Sequence, residues 1–295
     1  VGVGNYWHNL TGTAIAGFWR VPWPSNVWVV DNQIYRCRSG IGIVGQNWLV
    51  ENNTIERLFQ HIDYDCDYTR FFGENIIIRN NIMRGTIRSE IGDAHVDGFQ
   101  TYDDNGEYAK NVLIEGNRIS DCHQGMMAEA RYHQQHENIV VRNNIFSRCW
   151  AWGLDLHSIR NIDVSHNIFF DMGLHGIGYR TGSTGTCKNN IFYTSIYWKD
   201  DVSSVDSRNN LLFKPGRKWR QSDFPLDIVN QDPLFMNPAA GNFYLKSDSP
   251  AIDAGWNLGI LRDFEYRQRP TGSAFDIGPF EYVLRTSARG WKEYK

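Results

Sequence analysis

Along most of this chain, apolar and polar positions alternate over short stretches, and each stretch breaks at an asparagine. The period is two, as strands with one buried face require, and no amphipathic period of 3.6 is present. One phrase recurs eight times: an aliphatic residue, two variable positions, Asn, then mostly Ile or Phe. It reads VVDNQI, VENNTI, IRNNIM, IEGNRI, VRNNIF, VSHNIF, CKNNIF and SRNNLL. Its asparagines are Asn32, Asn53, Asn81, Asn117, Asn144, Asn167, Asn190 and Asn210, with Cys187 and Ser207 replacing the aliphatic residue in the last two.

The intervals between these asparagines are 21, 28, 36, 27, 23, 23 and 20 residues. Such a spacing, with short strands and a turn-forming Asn that tolerates left-handed backbone, predicts a β-solenoid with one coil per repeat. Longer intervals mark loop insertions. The asparagines are expected to stack as scaffold, satisfying corner backbone groups with their amides. Cys37, Cys122 and Cys149 each fall five residues after a repeat Asn, where other coils carry Leu58, Thr86, Met172 and Ser195. An interior column of small or apolar side chains accounts for this slot.

A second strand follows in each coil, and five such strands can be laid over one another: HIDYDCD (61–67), GFQTYDD (98–104), GMMAEAR (125–131), GLDLHSI (153–159) and GIGYRTG (176–182). Their second and fourth positions are nearly all apolar and are expected to point inward. The third positions then face solvent as Asp63, Gln100, Met127, Asp155 and Gly178. The fifth do so as Asp65, Tyr102, Glu129, His157 and Arg180, and a seventh adds Asp67, Asp104 and Arg131. Ordinary solvated faces are rich in Lys, Glu, Ser and Thr. This one has no Lys and gathers Asp, Glu, His, Arg, Tyr and Gln, which predicts a functional cleft.

Composition narrows the classes further. A net charge of −3 lacks the basic footprint of a nucleic-acid binder. No stretch of about 18 apolar residues predicts a membrane span. The 11 Trp suit either core packing or stacking on sugar rings. Five Cys without a C-x-x-C indicate neither a zinc ribbon nor a complete disulfide framework.

From Gln231 the texture changes. The stretch QDPLFMNPAAGNFYLKSDSPAIDAGWNLG, followed by FDIGPFEY, resembles the closing segment of many secreted bacterial β-helix proteins, with D-P-x-F, G-[ND]-[FY]-x-L, S-P-A-I-D-x-G and D-I-G-x-[FY]-E all present. The resemblance implies an all-β, single-stranded right-handed parallel β-helix of the broad group that includes pectate lyases, chondroitinase-B-like lyases and polygalacturonases. It implies coils over 1–230, a closing segment over 231–282 and a tail over 283–295. It also implies a secreted or cell-surface location, while the start, Val1 to Tyr6, reads as neither a signal peptide nor an obvious cap. Asp253, Asp276 and Glu281 then belong to the closing cap.

Because one fold hosts many activities, the chemistry must come from the face. Adjacent coils lie about 4.8 Å apart and alternate outward residues about 6.8 Å apart. Glu129 and Asp155 would be diagonal neighbours with Cα atoms roughly 8 Å apart, near the separation of roughly 6.5–9.5 Å used by inverting glycosidases. They form the expected catalytic pair of a glycoside hydrolase needing no cofactor, with His157 and Arg131 beside them. Asp65, Asp97, Gln100, Tyr102, Trp152, His175 and Arg180 are the expected contacts to a polysaccharide. The alternative is β-elimination by a polysaccharide lyase, with Arg131, His157 or Tyr102 as base and Ca2+ held by Asp63, Asp65 and Asp67. The loop 103–107 is a weaker Ca2+ candidate. A third reading is a non-catalytic carbohydrate-binding or structural β-helix. The G-H-G and R-x-K elements of polygalacturonases are absent, and no Lys lies on the aligned strands to match the Lys–Arg pair of chondroitinase-B-like lyases.

Overall fold

The structure, a computed structural model, describes residues 2–17, 23–60, 65–195 and 198–283. Within these the chain winds as a parallel β-helix with three faces. The first face stacks Thr13–Ala16, the early part of Ser39–Glu51, Thr69–Arg79, Asp97–Tyr102, Gln124–Glu129, Leu154–His157, Ile177–Arg180 and Trp198–Lys199. The second stacks Ser25–Val30, the later parts of the two long strands, Ala109–Glu115, Glu137–Arg142, Arg160–Ser165, Thr184–Lys188 and Ser204–Arg208. The third is built of short strands from Tyr6–His8 to Ile228–Val229. Every pairing between coils is parallel, so a right-handed crossover is the expected sense of winding.

The inward columns fill one continuous core. On the first face these are Thr69, Phe99, Met126, Leu154 and Ile177, then Phe71, Thr101, Ala128, Leu156 and Tyr179, all fully buried. On the third face Phe146, Phe169 and Phe192 stack face to face, with ring centroids 5.3 and 5.0 Å apart. Burying each such ring is worth about 2 kcal/mol. Cys37, Cys122 and Cys149 sit inside, as do Leu58 and Met172.

The repeat asparagines form a buried ladder, but with different geometry from that expected. Each accepts at Oδ1 from the backbone N–H and the Nδ2 of the preceding coil's asparagine, as in Asn117 to Asn144 at 2.9 and 3.0 Å. The left-handed residue is the one before: Asp31, Asn52, Asn80, Gly116, Asn143, His166, Asn189 and Asn209 all have φ between 52° and 68°. The reason is the division of labour at the corner. Reversing direction needs one left-handed residue, whereas the ladder side chain must turn inward to reach its neighbours. The ladder also starts a coil earlier, at Asn5, and ends on Asp227. An outer ladder runs parallel to it through the exposed, left-handed Asn26, Asn47, Asn75, Asn111, Asn138 and Asn161.

One alignment is corrected. The strand beside Asp97–Tyr102 is not 61–67 but begins at Thr69, with Thr69 opposite Phe99 and Arg70 opposite Gln100. Arg70 and Phe72 therefore hold the places expected for Asp63 and Asp65. The heptad 61–67 offered the same alternation, and the true strand hid because Tyr68 occupies the first-position column that is glycine elsewhere.

After Val229 the parallel coils give way to an antiparallel pair, Phe235–Asn237 with Asn242–Leu245. The remaining closing chain packs across the corners of the coils. Asn143 and Asn189 donate to the carbonyls of Arg262 and Trp256, and the fully buried Arg269 bonds Glu281 at 3.1 Å and Asn143 at 3.2 Å.

Candidate functional site

The first face presents its outward columns as Arg70, Gln100, Met127, Asp155 and Gly178, and as Phe72, Tyr102, Glu129, His157 and Arg180. Four of the five strand alignments thus hold. Glu129 lies opposite His157, and Asp155 opposite Met127, so the two carboxylates are diagonal neighbours as the spacing predicts.

Their side chains join one line of charges. Arg131 contacts Glu129 at 2.5 Å and lies 3.2 Å from Nε2 of His157. His157 Nε2 is 3.3 Å from Oδ1 of Asp155, and Nε of Arg180 is 3.0 Å from the same oxygen. The Arg180 guanidinium then stands 4.5 Å over the Trp152 ring, which stacks on His175 at 4.9 Å. Nε2 of His157 either accepts from Arg131 or carries a proton towards Asp155, and cannot do both. Asp155 and His157 are nearly buried, at 7% and 4% side-chain exposure, while Glu129 and Arg131 reach solvent at 27% and 46%.

A second cluster lies on the coils before it. Asp67 accepts from Nε of Arg70 at 2.5 Å and from the backbone N–H of Asp97 at 2.9 Å. Asp97 faces Nδ1 of His123 at 3.7 Å, and His123 stacks on His95 with centroids 4.3 Å apart. Burial pushes both the Asp67 and Asp97 carboxyls up to about 7, the nearby Arg70 and His95 respectively opposing it. Burial also lowers the His123 imidazole, helped by Arg88. A cavity of about 370 Å3 opens next to this cluster, lined by Thr13, Arg38, Ser39, Asp65, Asp67 and Arg70. A further cavity, of about 1000 Å3, lies elsewhere, between the third face and the closing segment.

Several expectations change here. Asp65 does not stand in the Tyr102–Glu129 column, since Phe72 packs there edge-on to Tyr102 at 4.8 Å. It sits instead in the loop ahead of the strand, 4.0 Å from Arg70 and accepting from the His95 N–H. Of the trio Asp63, Asp65 and Asp67, Asp63 lies outside the described residues. The oxygens of Asp67 are taken by a guanidinium and an N–H, which suits an ion pair and not the oxygen cage that Ca2+ requires. Among the described residues no group of three or more His, Cys, Asp or Glu side chains is arranged to hold a metal. In loop 103–107, Asp103 instead accepts from the backbone N–H groups of Tyr132, His133 and Gln134, tying down the next coil's loop. Sequence reasoning missed Arg70 and the Asp67–Asp97 coupling. The available signal was an Asp immediately preceding the first strand position in two successive coils, visible only once Tyr68 is aligned with Gly98.

A family profile described as "Right handed beta helix region" matches residues 83–211. Among solved structures, the chain is similar to pectate lyase Pel9A, with 11% identity and a TM-score of 0.55, covering 96% of this chain and 89% of that one. It is also similar to XylC, determined in complex with xylose, with 13% identity and a TM-score of 0.52, covering 93% of this chain and 62% of XylC. No curated protein matches it in sequence. The parallel coils, the profile match and these two likenesses together make the chain a right-handed parallel β-helix, with the fold of pectate lyase Pel9A and XylC.

Proposed function

We propose that this protein degrades a polysaccharide lying along the first face, as a glycoside hydrolase using Glu129 and Asp155. The observation that carries this reading is their diagonal placement on neighbouring strands, joined through Arg131, His157 and Arg180. Nε of Arg180 at 3.0 Å and Nε2 of His157 at 3.3 Å flank the nearly buried Asp155 carboxylate and fix its direction, which suits a base activating water. Glu129 extends further into solvent, at 27% side-chain exposure against 7% for Asp155, and so stands nearer to an approaching polymer. Tyr102 on one side and Trp152 on the other supply flat apolar surface for sugar rings. Arg70, Gln100 and His175 extend the row of contacts along neighbouring coils, whereas Asp97, expected among them, lies buried at 1% exposure, out of reach of a polymer on the face. The reading requires no cofactor, and a polymer substrate places the reaction outside the cell.

The test is a panel of neutral and acidic polysaccharides, followed by reducing ends and by the ultraviolet absorbance of unsaturated uronates, with Ca2+ or chelator present. New reducing ends without absorbance are expected. Glu129→Gln and Asp155→Asn should each lower turnover by about 100-fold or more. Absorbance rising with reducing ends would instead make the protein a lyase and overturn the two-carboxylate mechanism. Binding of a polymer without cleavage would favour a non-catalytic carbohydrate-binding role.

A further inference from the structure

Five cysteines are spread over the coils, all buried and unbridged. Cys122 and Cys149 differ from the others in facing each other. Their coils are in register, Ile119 opposite Phe146 and Ser120 opposite Ser147. The pairing continues past the strand ends, with Cys122 accepting from the Trp150 N–H at 2.9 Å and Cys149 from that of Gly173 at 2.9 Å. The two sulfurs are 3.3 Å apart, and both residues are at most 1% exposed. Neighbouring parallel strands bring Cα atoms to about 4.8 Å, within the span of about 4.4–6.8 Å that a disulfide bridges. Cys37 has Leu58 and Thr86 in the corresponding slots of the next two coils, which excludes it from the same chemistry.

We propose that Cys122 and Cys149 are a cross-linking site, closed by a low-molecular-mass disulfide, that bolts two successive coils together directly ahead of the strands bearing Glu129 and Asp155. The Cys122 thiolate attacks the small disulfide, breaking its S–S bond and releasing one thiol. Cys149 then loses its proton to solvent and attacks the mixed disulfide at Cys122, forming the cross-link and releasing the second thiol. Two cysteines are oxidised and one small disulfide is reduced. Burial, and the neighbouring Cys149, push the Cys122 thiol well above its usual range, so exchange in the folded coil is slow and closure belongs to the time when the coils are still stacking.

The experiment refolds the full chain from denaturant with glutathione disulfide or with a reductant. Thiols are then counted after denaturation and cross-linked peptides mapped by mass. The oxidised sample should show three thiols against five in the reduced one, with the Cys122 and Cys149 peptides joined and lighter by two hydrogens. Its melting point should rise by about 5 °C or more, as closing a loop of this size implies. Cys122→Thr and Cys149→Ser are suitable controls, because Thr86 and Ser195 fill the same slot in other coils. Each should retain four thiols in both buffers and show no rise. Five thiols after oxidative refolding, a bridge between any other pair, or no rise in melting point once the bridge has formed overturns the proposal.

Discussion

At the scale of single residues, each inner asparagine satisfies several buried polar groups at once. Asn144 accepts from Asn117 and donates to Asn167 and to the carbonyls of Ile114 and Arg142. Asn144→Ala would leave those buried groups unpaired, and a loss of about 3 kcal/mol is expected in urea unfolding. Asn138→Gly, in the exposed outer ladder, keeps the left-handed backbone accessible and should cost less than about 1 kcal/mol. Asp97 makes a prediction of different form. Its folded pKa of about 7 stands above an ordinary value of 3.8. The folded state therefore binds more protons than the unfolded one between those limits. Its contribution to stability is complete below about pH 4 and is lost as pH rises through about 7. Asp97→Asn should melt close to the wild type at about pH 4 and above it at about pH 8, and the reverse trend would contradict the burial inferred for this carboxyl.

At the scale of elements, the first position of the site strands shows how closely coils approach. Gly98, Gly125, Gly153 and Gly176 stand in one column, where a Cβ on Gly125 would meet the Gly153 carbonyl oxygen at 2.4 Å and the Phe146 ring at 2.5 Å. Gly125→Ala must therefore move backbone or ring, and a loss of about 2 kcal/mol is expected from its denaturation midpoint. The inward columns of these strands were legible in the sequence because alternation leaves one assignment of faces. The coil before them was not. Residues 61–67 alternate as well as residues 68–74 do, and only packing against Phe99 and Gln100 selects the latter. That shift replaced two expected acids on the face with Arg70 and Phe72, and it brought Asp67 against Asp97.

At the scale of the whole molecule, stability passes from coil to coil, and a solenoid needs its ends closed. The closing segment does this by crossing the corners of the coils at Asn143, His166 and Asn189, with Arg269 bonded to Glu281, Asn143 and the Gly278 carbonyl in full burial. Arg269→Met would leave the buried Glu281 without its ion-pair partner, and about 3–5 kcal/mol should be lost. Pairing it with Glu281→Gln should recover part of that loss in the same unfolding assay.

The amino-acid sequence by itself determined the solenoid, the asparagine scaffold, the interior cysteine slot and the diagonal of Glu129 and Asp155. All of these follow from periodicity, because a strand period of two and a recurring corner residue leave little freedom in which way a side chain points. Tertiary structure alone decided which charges meet. Arg131 with His157, Arg180 with Asp155 and Asp67 beside Asp97 are contacts between coils separated by loops of unequal length. A local pattern sets the direction of a side chain within its own coil, but the register of the next coil sets its partner.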